Sequence, residues 1–198
     1  MYAPSNMKMQ SLEQAYNFIE EYSFGLIVSA QLQGSHVPFI LQRKEGTRGV
    51  LYCHFSKNNP HWRELDNTKV LIVFSGPNAY ISPTWYAKGP AVPTWNYVAV
   101  HVLGKVKLLT SSRVYEILQQ MISKYEPNLL AENDPELNEY KNNLMNGIVV
   151  AKILISKIDG IAKLGQCRTN EDQIGITKGL AASKHFGSKE LLKYMLTF

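Results

Sequence analysis

The chain is poor in cysteine, has no long apolar run and carries none of the common catalytic signatures. Two cysteines in 198 residues, Cys53 and Cys167, stand far apart without a CxxC partner, which excludes a disulfide scaffold and a cysteine-rich zinc site. The longest apolar stretch, Gly147–Ile158, is broken by Lys152 and Lys157 and falls short of the roughly 18–20 residues of a membrane span. The opening Met1-Tyr2-Ala3-Pro4 is not a basic region leading into an apolar one, so no secretory signal is expected. GxSxG, HExxH, Walker A and GxGxxG are all missing. His36, His54, His61, His101 and His185 lack metal-ligand spacing, so no metal is expected. Together these absences point to a soluble, reduced, cytoplasmic protein.

What is present is enough apolar sequence for one sizeable core: 45% hydrophobic residues and 11% aromatic, against 19% charged. The formal charge is +5, and its placement is uneven. Residues 1–140 hold 12 Lys+Arg and 12 Asp+Glu, whereas residues 141–198 hold 9 and 4. A basic end of this kind is either a nucleic-acid contact or a solvated face.

Ser11-Leu12-Glu13-Gln14 reads as a capping box opening a helix over Leu12–Tyr22. Strands are expected at Gly25–Ala30, His36–Leu41, Val50–Phe55, Val70–Phe74, Ala79–Ser82, Tyr97–Leu109 and Ile148–Ile158. Pro38 argues for an edge position, and Gly76-Pro77-Asn78 reads as a turn. Asn59-Pro60 opens a short helix, with asparagine as cap and proline at the first helical position. Ser111 or Ser112 caps a helix running to Tyr125, Asp134-Pro135 starts another, and Ser188–Phe198 is a terminal one. Pro83–Pro93 is a loop. The connections are too short for repeated parallel crossovers, so the fold expected is an antiparallel β-barrel with helices outside it, in the α+β class.

Two clusters stand out chemically. Between His54 and His101 lie all three tryptophans, with Tyr80, Tyr86 and Tyr97 and five prolines. So many large aromatics around loops either fold back over the core or cover a flat ligand. The second cluster, His54-Phe55-Ser56-Lys57-Asn58-Asn59-Pro60-His61, combines a cation, a hydroxyl, amides and a helix start. It is either a phosphate-binding arrangement or an ordinary helix cap.

Several segments, in order, resemble the PaiB family: Met1-Tyr2-Ala3-Pro4, Phe24-Gly25-Leu26, His36-Val37-Pro38-Phe39, His54–Pro60, Tyr80-Ile81-Ser82-Pro83-Thr84-Trp85-Tyr86 and Val92-Pro93-Thr94-Trp95-Asn96-Tyr97. Its members are described as bacterial FMN-binding split-barrel proteins and negative regulators of transcription. The resemblance implies a split β-barrel domain over residues 1–168, a C-terminal helical extension at 169–198, and a homodimer with FMN at its interface. Lys57 would pair with the flavin phosphate beside His54, Ser56, Asn58 and Asn59. His36, Pro38 and Phe39 would line the flavin, Trp85, Tyr86, Trp95 and Tyr97 would shield its ring, and Thr94 and Asn96 would meet its polar edge. Lys163, Gln166 and Arg168 match a further family segment, which differs here by Gly165 and Cys167 where the family carries Ser and Asn.

Three functions are compatible with this reading: an FMN-binding repressor, an FMN-dependent oxidoreductase using NAD(P)H, or a non-catalytic dimeric flavin-binding protein. No helix-turn-helix is evident, so DNA contact would fall to the basic C-terminal region. No catalytic residue is assigned, although His101 and Tyr86 are the first candidates for an oxidoreductase.

Overall fold

The computed structural model describes residues 1–109, 111–130 and 145–197. The helix expected at Asp134-Pro135 lies outside them. Seven strands, β1 (Phe24–Val28), β2 (Gly34–Pro38), β3 (Ile40–Gln42), β4 (Val50–Ser56), β5 (Lys69–Ile81), β6 (Thr94–Leu109) and β7 (Ile148–Lys163), form one sheet in the order β2-β1-β5-β6-β7-β4-β3. The helices are α1 (Leu12–Glu21), α2 (Ser111–Tyr125), α3 (Asn170–Ala182) and α4 (Ser188–Thr197). The chain divides into two compact units, one of residues 19–74 and 102–158, the other of residues 1–18, 75–101 and 159–198. β5, β6 and β7 each run from one unit into the other.

In the unit of residues 19–74 and 102–158, β1 pairs antiparallel with β2 and with β5, and β4 pairs antiparallel with β3 and β7. β4 is buried on both faces. Tyr52 and Val50 join Val114, Ile117 and Met121 of α2 and Val150 of β7 in one apolar cluster, which fixes α2 by its 3–4-spaced apolar stripe. The single strand expected over His36–Leu41 is two, because the chain turns a corner at Phe39. That side chain is 1% exposed and meets Phe74 edge-on at 5.3 Å, while its N–H donates to the Ser23 carbonyl. Pro38, with no N–H to give, ends the outer strand β2, as an edge allows.

In the unit of residues 1–18, 75–101 and 159–198, α1 begins at its expected cap: Ser11 Oγ accepts the Gln14 N–H at 3.2 Å, and Gln14 Oε1 accepts from Gln10 N. The turn expected at Gly76-Pro77-Asn78 is instead part of β5. A Cβ on Gly76 would come within 2.6 Å of the Phe18 ring, so glycine serves close packing here rather than turning. β1 reaches β5 only at Leu71–Val73, so Pro77 breaks no bond of that ladder. β6 begins at Thr94, three residues earlier than expected. β7 continues past Ile158 to Lys163, where Lys8 bridges to Ile161 and Met9 N donates to the Gly160 carbonyl. α3 falls within the helical extension that the resemblance implies at 169–198, although no local start signal marks it in the sequence. Its cap is Thr169, whose Oγ1 accepts from Asp172 N at 3.2 Å, and Ile176 and Leu180 bury its inner face.

Candidate functional site

The segment leaving β4 is tied down atom by atom. Lys57 N–H donates to the Gly147 carbonyl, Asn58 N–H to Ser56 Oγ, and Asn59 N–H to the Ser56 carbonyl. His61 N–H donates to Asn59 Oδ1 at 3.0 Å, capping the short 3-10 turn Pro60–Glu64. The Trp62 indole returns a hydrogen bond to the Lys57 carbonyl at 3.1 Å. The N–H groups that the sequence offered to an anion are therefore engaged internally. What remains is the Lys57 side chain, exposed and without an ion pair among the described residues, at a cleft of about 290 Å³ shared with Leu109, Val114, Met145, Asn146, Ile148 and Val149. Fixing both peptide groups of Lys57 lowers the entropy lost when its ammonium meets an anion.

Beneath this loop lies a buried polar cluster that joins Asn59 and His61 to Ser35 of β2. His61 is fully buried. Its Nδ1 lies 2.8 Å from Ser35 Oγ, which also accepts from Asn59 Nδ2 at 3.1 Å. The His61 ring meets Phe55 edge-on, and its Nε2 lies 3.8 Å from Glu64 Oε1. Burial pushes the His61 pKa down, with Glu64 pulling the other way. His54 is also held below its usual range by burial, and its Nδ1 lies 3.2 Å from the Met121 sulfur. Of the residues expected here, His36 stands exposed on β2 and stacks on Phe24, Pro38 ends that strand, and Phe39 faces the core.

The aromatic motifs separate into two environments. Strand alternation puts Thr94 and Asn96 on one face of β6 and Trp95 and Tyr97 on the other. On the inner face, Lys163 Nζ donates to Thr94 Oγ1 at 2.6 Å, and Asn96 is 2% exposed with its Nδ2 unpartnered among the described residues. On the outer face Trp95 is 53% exposed and meets Tyr80 edge-on at 6.5 Å. With Tyr97, Ser75, Gly76, Asn78, Val98 and Ala99 it lines an open depression of about 300 Å³.

Trp85 belongs to neither face. It lies against α3, where a Cβ on Gly175 would strike its carbonyl and one on Gly179 its indole ring. Asp172 Oδ1 accepts from Ala87 N at 2.9 Å, and the Arg168 guanidinium sits 4.3 Å above the Tyr86 ring. Gln166 is spent on backbone: it donates to the Asn6 and Ala162 carbonyls and accepts from Leu164 N. The residues thus fall in two groups, His36 to Asn59 in one unit and Trp85 to Arg168 in the other. Ser35 is the polar residue that spacing did not single out, whereas His61 closes the His54–His61 cluster. A serine in a Gly-Ser turn carries no signal until the fold brings β2 under the loop.

The architecture of this sheet is that of an antiparallel split β-barrel of the α+β class with peripheral helices. Similar solved structures are a flavocytochrome of Azotobacter vinelandii (TM-score 0.60, 14% identity, covering 85% of this chain and 75% of that one) and an FAD- and heme-binding protein of Mycobacterium smegmatis (TM-score 0.58, 10% identity, 79% and 73%). Residues 1–157 match the family described as "Putative FMN-binding domain". The Bacillus subtilis protease synthase and sporulation protein PAI 2 is 35% identical across 98% of this chain and 96% of its own length. The chain belongs to the PaiB family of FMN-binding split-barrel proteins.

Among the described residues, no helix is long and apolar enough to cross a membrane, and no group of three or more His, Cys, Asp or Glu is placed to hold a metal.

Proposed function

We propose that this chain is a homodimeric, cytoplasmic, FMN-binding negative regulator of transcription. The observation that brings the flavin reading down to particular atoms is Lys57, an ammonium without an ion pair among the described residues, on a loop whose N–H groups at Lys57, Asn58, Asn59 and His61 are already used. A phosphate is the group such a lysine recognises, by charge-assisted hydrogen bonding. Ser56, Asn58 and Asn59 line that contact and His54 backs it. His36 and Pro38 border the flavin from β2, and the buried Phe39 fixes the corner behind them. Trp95 and Tyr97 offer aromatic surface to its ring, while Thr94 and Asn96 brace β6 from its inner face. Lys163 and Arg168 add positive charge, while Gln166, Trp85 and Tyr86 hold the surrounding segments in place. FMN, when bound, supplies the redox-active isoalloxazine; the chain's own residues bind, orient and shield it.

In this reading residues 1–168 are the flavin domain and residues 169–198 a helical extension on it. The two free thiols suit a reducing compartment. The regulatory half rests on the family description and on a relative named for protease synthesis and sporulation. DNA contact falls to the basic C-terminal segment, with Lys178, Lys184, Lys189 and Lys193 as its cations. The test is retardation of DNA from upstream of the protein's own gene, with and without FMN, over a salt series. Retardation that weakens steeply with salt is expected. Failure at every salt concentration would contradict direct repression, and bleaching of the bound flavin by NAD(P)H would favour the oxidoreductase.

A further inference from the structure

We infer that Asn59, Ser35 and His61 form an ordered hydrogen-bond relay that positions the Lys57 loop, and that the protonation of His61 sets how tightly an anion is held at Lys57. This rests on the phosphate role proposed for Lys57. The order of the relay follows from donors and acceptors. Asn59 uses its Oδ1 to accept the His61 N–H, so its Nδ2 is the donor to Ser35. Ser35 then has one acceptor within reach for its own proton, His61 Nδ1 at 2.8 Å. That makes His61 the Nε2–H tautomer. Its Nε2 faces Glu64 Oε1 at 3.8 Å, too far for a hydrogen bond, and both atoms are buried and unpartnered among the described residues.

His61 and Asn59 share one bond just after Lys57, and Ser35 anchors both side chains to β2. Lys57 itself is held through its N–H and its carbonyl. A proton added to His61 at Nδ1 reverses the Ser35 bond. Ser35 must then accept from both His61 and Asn59, and its own hydroxyl proton loses its acceptor in a closed site. The anchor weakens while the new imidazolium is drawn to Glu64. Around the ring, β2 presents Ser35 and β4 presents Phe55, and Glu64 is the charged group that acts on it. His61 is a positioning residue: it touches neither phosphate nor flavin and acts through the loop.

The test is FMN affinity, followed by flavin fluorescence on the full chain, for the parent protein, Ser35→Ala and Lys57→Ala between about pH 8 and 5. The phosphate of FMN itself titrates near pH 6, but equally for the parent and Ser35→Ala, which both keep Lys57, so it cancels between those two. Ser35→Ala is expected to bind about fivefold more weakly at the alkaline end and to lose less affinity than the parent on acidification. Lys57→Ala is expected to bind more weakly throughout and with a shallower pH slope than the parent, because the relay acts through Lys57. Ser35→Ala matching the parent in affinity and slope, while Lys57→Ala is weakened, would overturn the relay. Lys57→Ala binding like the parent would instead remove the phosphate reading. The relay then stands or falls on the imidazole nitrogen shifts of flavin-free protein, where an Nε2–H tautomer supports it and an Nδ1–H tautomer refutes it.

Discussion

Trp85 and Trp95 lie ten residues apart in similar aromatic motifs, yet the fold uses them differently. Trp85 is packed against two α3 glycines that leave no room for a Cβ, whereas Trp95 stands half out of the sheet beside Tyr80. Gly179→Ala should therefore displace the indole and destabilise the protein by about 1–3 kcal/mol, as overpacking does, seen as a lower Tm with a shift in tryptophan emission. Trp95→Ala should leave Tm nearly unchanged and weaken FMN binding. An unchanged Tm for Gly179→Ala would contradict the packing described. The motifs were legible in the sequence; the directions of their side chains were not. Pro83–Pro93 made the whole region read as loop, and only the start of β6 at Thr94 puts Asn96 and Trp95 on opposite faces.

Elements with strong local signals were readable, and those defined by tertiary contact were not. The capping box of α1, the Asn-Pro cap and the apolar stripe of α2 each satisfy backbone groups or bury a face without outside help. α3 depends on Trp85 to fill its glycine face, and two glycines in one helix argue against it by propensity alone. β5 passes through Gly76-Pro77 because Phe18 covers the glycine. Phe39, which the family resemblance placed at the ligand, is instead the buried corner between β2 and β3. At this scale Asn59→Ala is informative. It removes the cap on the Pro60–Glu64 turn and the link to Ser35, and should cost about 1–2 kcal/mol, measured as a lower urea midpoint. A midpoint equal to the parent's would mean that the loop is held by the Lys57 backbone bonds alone.

For the molecule as a whole, three histidines, His54, His61 and His101, are held below their ordinary pKa, each chiefly by burial. The unfolded chain then binds more protons than the folded one over the window below about pH 6.5. Their contribution is present above that pH and lost below it, so Tm should fall as pH drops from 7 towards 5. A Tm that rises over that range would contradict their burial. The seven-stranded α+β architecture and the FMN-binding family were legible from motifs that run in order along the chain. The division of site residues between two compact units was not, because long strands such as β6 and β7 carry a single apolar pattern through both. The net charge, which first suggested nucleic acid, has its clearest structural use in Lys163 on Thr94 and Arg168 over Tyr86. The central claim is that this chain holds FMN with Lys57 on its phosphate. Its most direct test is titration of the purified protein and of Lys57→Ala with FMN. Saturable binding, weakened about tenfold or more in Lys57→Ala with an unchanged Tm for the flavin-free variant, is the predicted result; no saturable binding by the parent protein, or equal affinity in both, would contradict it.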